Sequence, residues 1–469
     1  MSLATLTQAV DKFAAATHAL TEHHLNQPSY KWDDYEQVRY AFLHTTLELR
    51  QLAVGLYLQR YRSGKYPTYA HHALTHHQQL YRECLALLTG ISDEEASRPP
   101  APHEWPLRTI VLHMFRTERY FYATIRKALN AHINQEPAER IHEDEVWDLA
   151  EETGTPETGD IALSDLLKRW DALHNRVLYN LNGLGDIRLN LASPMWESTA
   201  YPIRFRLHRF ETHLQEHINQ LEKTLIALGL LTEPRLLLRQ MYNALGEVEG
   251  AILGAGTMGY SECMHAAAII SDRLQEVRTA VFQSDSILAA VKAGDQAQVE
   301  ALLAANPRLV NTVDSDGLFL IVKAAYAHQR AIVQVLLDAG AYLDVHEAAA
   351  AGSLEQAQSW LEHSPDALNS FSRDGFTPLQ LACYFNHEAL ALYLLEQGAD
   401  VSLVSQNGMK IQALHAAATH GNLVIVKALL ERGADPNAQQ MDNYTPLDEA
   451  MQNNDEALAE LLRQHGATD

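Results

Sequence analysis

Apolar side chains recur every three or four positions through most of the first 284 residues, which is the spacing of amphipathic helices. The clearest case is 207–228, where Leu207, Phe210, Leu214, Leu221, Leu225 and Leu228 form one stripe. The same reasoning predicts helices over 3–26, 33–62, 68–88, 107–129, 164–181, 235–253 and 260–282, with a short one near 143–151. Breakers separate them. Gln27-Pro28-Ser29 divides the first two, with Asp33 and Asp34 in the first turn of the second. Ser63-Gly64-Lys65-Tyr66-Pro67 ends the second, and Thr89-Gly90 ends the third. Ser92-Asp93-Glu94-Glu95 reads as a capping box for one short turn, 152–160 as a loop, and Ser164 as a helix cap. The inner stripes are Ile110, Met114, Phe121 and Ile125 on one helix and Leu167, Trp170, Leu173 and Val177 on another. Four of these helices are joined by one short, one long and one moderate connection, which predicts a four-helix bundle at 66–231. A hairpin at 1–65 precedes it, and a second at 232–284 is expected to pack against the first.

From residue 285 the texture becomes repetitive. Turns of one type fall at Gly340-Ala341, Gly398-Ala399, Gly433-Ala434 and Gly466-Ala467, with intervals that fit a period near 33. Such a period marks a solenoid whose units bury their faces on one another. Thr377-Pro378-Leu379 and Thr445-Pro446-Leu447 place Thr as a helix cap and Pro at the first helical position. With Leu414-His415-Ala416-Ala417 and Gly421-Asn422, they make 285–469 resemble ankyrin repeats. Six units start near 285, 314, 345, 372, 405 and 440, the third without its hairpin. Leu318-Phe319-Leu320 departs from the Thr-Pro-Leu pattern, and Met409 to Ala413 carry a two-residue insertion. The fold class is therefore all-α throughout.

Charge narrows the partners. The net charge is −23, and residues 285–469 hold 9 Lys and Arg against 24 Asp and Glu. Neither half offers a basic surface, which argues against nucleic acid or an anionic membrane. No uncharged run is long enough to span a bilayer, and the first residues lack a signal pattern. Three dispersed cysteines, Cys84, Cys263 and Cys383, fit a reducing compartment, so a cytoplasmic location is expected. The repeat half carries no catalytic constellation. Its hairpin tips at 314–317, 374–376 and 441–444 suit a protein partner; the plainer alternative is a solenoid that only packs and stabilises.

Histidine is the informative residue, with 17 of 24 falling before residue 285. His213 and His217 lie one helical turn apart beside the 207–228 stripe, a spacing that lets two imidazoles converge on one metal ion. In a bundle, one further His from a facing helix completes a three-histidine site with an open fourth position. His113 is positioned for this, one residue off its helix's inner stripe. Here the likeness becomes specific. The run from Arg98 through Trp105 to His113 resembles the second-helix signature of DinB-like metal-binding bundles. The run from Tyr201 to His217 resembles their final-helix His-x-x-x-His. That resemblance, over about 66–231, implies that His113, His213 and His217 bind a divalent metal, zinc foremost, with nickel, iron or manganese as the other options. It also implies metal-dependent thiol transfer or isomerisation, or hydrolysis, on a small-molecule substrate.

Glu118 and Glu216 are candidate acid/base groups, although helix carboxylates are more often surface charges. Trp196 and Tyr201 are candidates for the pocket mouth, or simple loop anchors. The cluster His71, His72, His76 and His77 contains its own i, i+4 pair but is expected to be a solvated helix face, and His18, His23 and His24 are expected at the surface. Gly254-Ala-Gly256-Thr-Met-Gly259 matches a dinucleotide-binding string, yet helix precedes it where a β-strand is required. It is expected to be a turn. The competing function is a non-catalytic interaction protein whose metal is structural or absent.

Overall fold

A computed structural model describes residues 2–27, 37–150, 161–197 and 199–468. The expectations placed on Pro28 and Ser29, on Asp33 and Asp34, and on the 152–160 loop lie outside the described residues. The architecture is all-α, with no β-strand among those residues. One compact unit runs to Thr279, apart from Asn26 and Gln27, which group with the other, and that other unit takes the chain from Ala280 onward, so the boundary falls inside a helix.

In the first unit the long helices are α1 (Ser2–Thr17), α2 (Arg39–Arg62), α3 (Tyr69–Leu88), α4 (Leu107–Asn134), α5 (Leu163–Leu181), α6 (Ile203–Ala227), α7 (Glu233–Ile252) and α8 (Tyr260–Ala293). Short helices at Glu22–Leu25, Asp93–Ser97, Val146–Leu149 and Asp186–Leu189 lie between them. Local chemistry sets most boundaries. Thr68 caps α3 by accepting from the His71 amide, and Ser92 with Glu95 forms the expected capping box. α4 runs five residues past the expected stop at 129, because no Gly or Pro interrupts it before Gln135 adopts a left-handed conformation. α5 starts at Leu163, with Ser164 already inside the first turn. Its amide cap comes from Asp93, whose Oδ1 accepts from Leu163 N at 2.7 Å.

Helices α3, α6, α4 and α5 pack in a ring, each against the next. Their shared core includes Tyr81, Phe115, Phe121, Trp170, Phe210 and Leu221. Burying each such large side chain contributes about 1.5–3 kcal/mol. α7 lies along both α3 and α2, so the 232–284 segment covers the bundle as well as the N-terminal hairpin. Two glycines permit the close approach. A Cβ at Gly246 would come within 2.7 Å of the Gln79 backbone, and one at Gly250 within 2.3 Å of Thr75. The apolar second helix is only partly covered: Leu43, Leu47, Val54 and Leu58 stay exposed. Gly254, Gly256 and Gly259 all have positive φ in the turn between α7 and α8, so the dinucleotide-like string is a helix-to-helix turn.

The second unit is a stack of helix pairs, from Leu320–Tyr326 with Arg330–Asp338 through to Pro446–Gln452 with Glu456–Gln464. α8 continues without a break to Ala293, so the change of texture at 285 falls inside a helix. Thr377 and Thr445 each make a capping box with Pro in the first turn. At the departure from the motif, the helix beginning at Leu320 has Phe319 as its cap residue and no side-chain cap. The pair Val345–Ala351 and Leu354–His363 is capped instead by Asp344, which accepts from the amides of His346 and Glu347.

Candidate metal centre

The apolar stripe of α6 is buried as its spacing requires: Leu207, Phe210, Leu214, Ile218, Leu221 and Leu225 are all inside. His213 and His217 sit on the flank of that stripe and are half-buried. On α4, Ile110, Met114, Phe121 and Ile125 are buried, which turns the half-buried His113 toward α6. The three imidazoles meet. His113 Nε2 and His213 Nε2 are 3.1 Å apart, and one ring nitrogen from each of the three residues lies within 4.8 Å of the others. Ring centroids are separated by 5.1, 4.6 and 4.5 Å.

The hydrogen bonds outside the group suit ligation. His217 Nδ1 is 2.8 Å from Gln220 Oε1, an oxygen that only accepts. The proton therefore sits on Nδ1 and leaves a lone pair on Nε2, the arrangement in which an outer carbonyl fixes a ligating tautomer. Burial, with His217, lowers the His113 pKa. Burial, with His217, His113 and Arg209, brings His213 down to about 3. Both are neutral bases at neutral pH, as metal ligation needs. This donor set, three neutral imidazoles and no carboxylate, fits a divalent ion with a position to spare.

Aromatic rings surround the group. Trp105 lies 5.4 Å from the His113 ring and Phe121 lies 6.0 Å from the His213 ring. Trp196 packs on Tyr120 at 5.7 Å and on Phe121 at 6.2 Å. Its loop is clamped by the buried Arg206, which holds Glu197 with two bonds of 2.6 and 2.9 Å and donates to Ser193 O. Tyr201 stacks on Phe205 at 4.3 Å and its carbonyl accepts from Ser193, so it is a loop anchor.

Neither candidate carboxylate joins the three histidines. Glu216 is exposed. Glu118 points to the opposite side of α4 and is buried against α3 and α5. Its Oε1 is 3.0 Å from His77 Nε2 and 2.8 Å from His174 Nδ1, and its Oε2 accepts from Trp170 Nε1 at 2.5 Å. His77 and His71 are thus buried, not part of a solvated face; only His72 and His76 are exposed. The chain of bonds continues outward. His174 Nε2 is 2.5 Å from Gln78 Oε1, and the Gln78 amide nitrogen donates to Glu249, which Arg82 pairs at 2.6 and 2.7 Å.

That chain fixes the protons. Glu249 only accepts, so Gln78 turns its NH2 to Glu249 and its oxygen to His174. His174 Nε2 must then carry a proton, and the bond from Nδ1 to Glu118 needs a second. That second proton lies between His174 Nδ1 and Glu118 Oε1. Burial raises the Glu118 pKa, but His174 and His77 more than offset it and hold the carboxyl well below its usual range. Burial lowers the His174 pKa, and Glu118 offsets only part of that. His174 was findable in the sequence: it falls on the inner face of α5, one turn from Trp170, where a polar residue needs a partner.

Comparison with known proteins agrees with this division of the chain. Residues 76–221 match the family model of the DinB superfamily, and 287–405, 345–440 and 402–469 match that of ankyrin repeats. The chain therefore carries a DinB-superfamily domain followed by ankyrin repeats. Among curated proteins, "Ankyrin repeat and SAM domain-containing protein 6" of Mus musculus is 35% identical over 113 residues, covering 24% of this chain and 13% of that protein. "Ankyrin repeat protein nuc-2" of Neurospora crassa is 28% identical over 195 residues, or 37% and 18% of the two chains. "SH3 and multiple ankyrin repeat domains protein 2" of Homo sapiens is 27% identical over 163 residues, or 33% and 9%. The chain spans less than a fifth of the length of each of these relatives.

Proposed function

We propose that His113, His213 and His217 hold one divalent metal ion, zinc foremost, and that the chain is a metal-dependent enzyme of the DinB-like class. Its reaction is thiol-dependent transfer or isomerisation, or hydrolysis, on a small molecule. The observation that carries this reading is the convergence of three lone-pair-bearing imidazoles from two helices, with His217 oriented by Gln220. Bound there, the ion would supply Lewis acidity and lower the pKa of a bound water or thiol. The protein's own part is to keep the imidazoles neutral and to exclude water on one side with Phe121 and Trp105.

The ankyrin repeats indicate protein–protein interaction. Between the hairpin tips a recess of 420 Å³ is lined by Tyr326, Phe376, Tyr384, Met409 and Ile411, a shape suited to an apolar side chain of a protein partner. Among the described residues no helix is long and apolar enough to cross a membrane. The position of Glu118 favours a second reading, in which the metal is structural and the chain is a scaffold, because the first candidate acid/base lies away from the imidazoles. Metal analysis of the purified chain, followed by a thiol-conjugation screen, separates the readings. The enzyme reading expects about one ion per chain and a turnover that His213→Ala abolishes. Metal-free protein, or turnover unaffected by His213→Ala, overturns it.

A further inference from the structure

The stripe that carries two of the histidines has a third member. Arg209 stands four residues before His213, which itself stands four before His217, so the three side chains leave α6 on one face, a turn apart. Among the described residues the one hydrogen bond of Arg209 is long, from Nη1 to Thr212 Oγ1 at 3.4 Å. The nearby carboxylate, Glu197, is already taken by Arg206 in a two-bond pair. The Arg209 guanidinium, with no bidentate carboxylate among the described residues, thus stands a turn from the histidines. Trp196 is 59% exposed and Trp105 43% exposed, although both rest on the aromatic shell of the site. Large aromatic surfaces left open beside convergent polar groups are characteristic of a ligand pocket.

We propose that this face takes a small carboxylate ligand: the carboxylate pairs with Arg209 while a neighbouring donor atom takes the open position at the histidines, and the two tryptophans cover it. This rests on the metal reading above. The electrostatics favour it. A divalent ion on three neutral imidazoles keeps its full charge, Arg209 adds another, and no carboxylate belongs to the group. An anion is the ligand that such a site attracts, and a planar guanidinium fits a carboxylate with two parallel bonds. The selectivity arises locally, in a chain whose net charge is −23.

The test uses the full chain loaded with Co(II), whose visible absorption reports sulfur ligation directly. Mercaptoacetate and 2-mercaptoethanol present the same sulfur and differ in the carboxylate. Wild type is expected to bind mercaptoacetate about tenfold more tightly, the size of one charge-assisted contact. Arg209→Gln is expected to bring the two within about twofold without changing Co(II) stoichiometry or the affinity for 2-mercaptoethanol, and Arg209→Lys to restore part of the difference. Equal affinities in wild type overturn the proposal. So does a preference that survives in Arg209→Gln, since chelation by the metal alone would then account for it. A chain that takes up no Co(II), or takes it up equally well as His213→Ala, overturns the metal reading and this proposal with it.

Discussion

Two groups of the DinB-like bundle bring three potential ligand atoms within 4.8 Å of one another, and they are built in opposite ways. His77, Glu118 and His174 are buried, and every oxygen of the carboxylate meets a donor: two imidazoles and the Trp170 indole. Protons satisfy the carboxylate, and among the described residues His77 Nδ1 is the one atom of that group left without a hydrogen bond. His113, His213 and His217 are half-buried and contain only bases, one of them held with its lone pair inward by Gln220. One Nε2–H can bridge His113 and His213, but three facing imidazoles still hold lone pairs with no donor inside the group, an arrangement that suits a cation. Spacing alone therefore does not define a metal site. The identity of the atoms and the hydrogen bonds behind them decide whether a proton or a metal is wanted.

The largest expected effect is on stability at the inner group. Glu118→Ala removes the partner of three buried groups, His77, His174 and the Trp170 indole, and should cost about 3–5 kcal/mol, read by urea unfolding. His213→Ala, at a half-buried position, should change stability by about 1 kcal/mol or less in metal-free protein. The reverse order would break the contrast. A smaller effect comes from His71, a buried imidazole whose Nε2 is 3.3 Å from Arg60 Nη1 and so accepts its proton. Burial, then Arg60 and His72, bring its pKa down to about 4. Between that value and about 6.5 the unfolded chain binds the proton and the folded chain does not, so stability is lost as pH falls through this window. Unfolding at pH 7.5 and 5 should show wild type losing about 1–3 kcal/mol relative to His71→Gln, which keeps an acceptor for Arg60. Next, Gln220→Ala should weaken metal binding by about 10–100-fold without changing the fold, as measured by chelator competition. The smallest effect lies in the solenoid, where Thr377→Ala removes one helix cap and should cost about 1 kcal/mol by the same unfolding measurement. Metal content should not change.

How much of this was legible in the sequence follows from the range over which each cause acts. That the three imidazoles meet was legible because two of them share one helix turn and the third lies in a motif with Trp105. The ankyrin pairs were legible because each unit repeats the same local signals, down to the Thr-Pro capping boxes. His77 was not. Whether His71, His72, His76 and His77 meet water depends on what covers α3: the bundle helices α4, α5 and α6 close over His77, and α7, approaching through Gly246 and Gly250, closes the side that holds His71. The start of α5 was misplaced onto Ser164 because its cap comes from Asp93, 70 residues earlier in the chain. Glu118 reads in the sequence as a candidate acid/base because its partners, on α3 and α5, are distant along the chain.

The most direct test is the metal content of three purified full-length proteins side by side: wild type, Glu118→Gln and His213→Ala. The account predicts about one divalent ion per chain in the first two and none in the third. Metal retained by His213→Ala and lost from Glu118→Gln would place the ion in the inner group and contradict it.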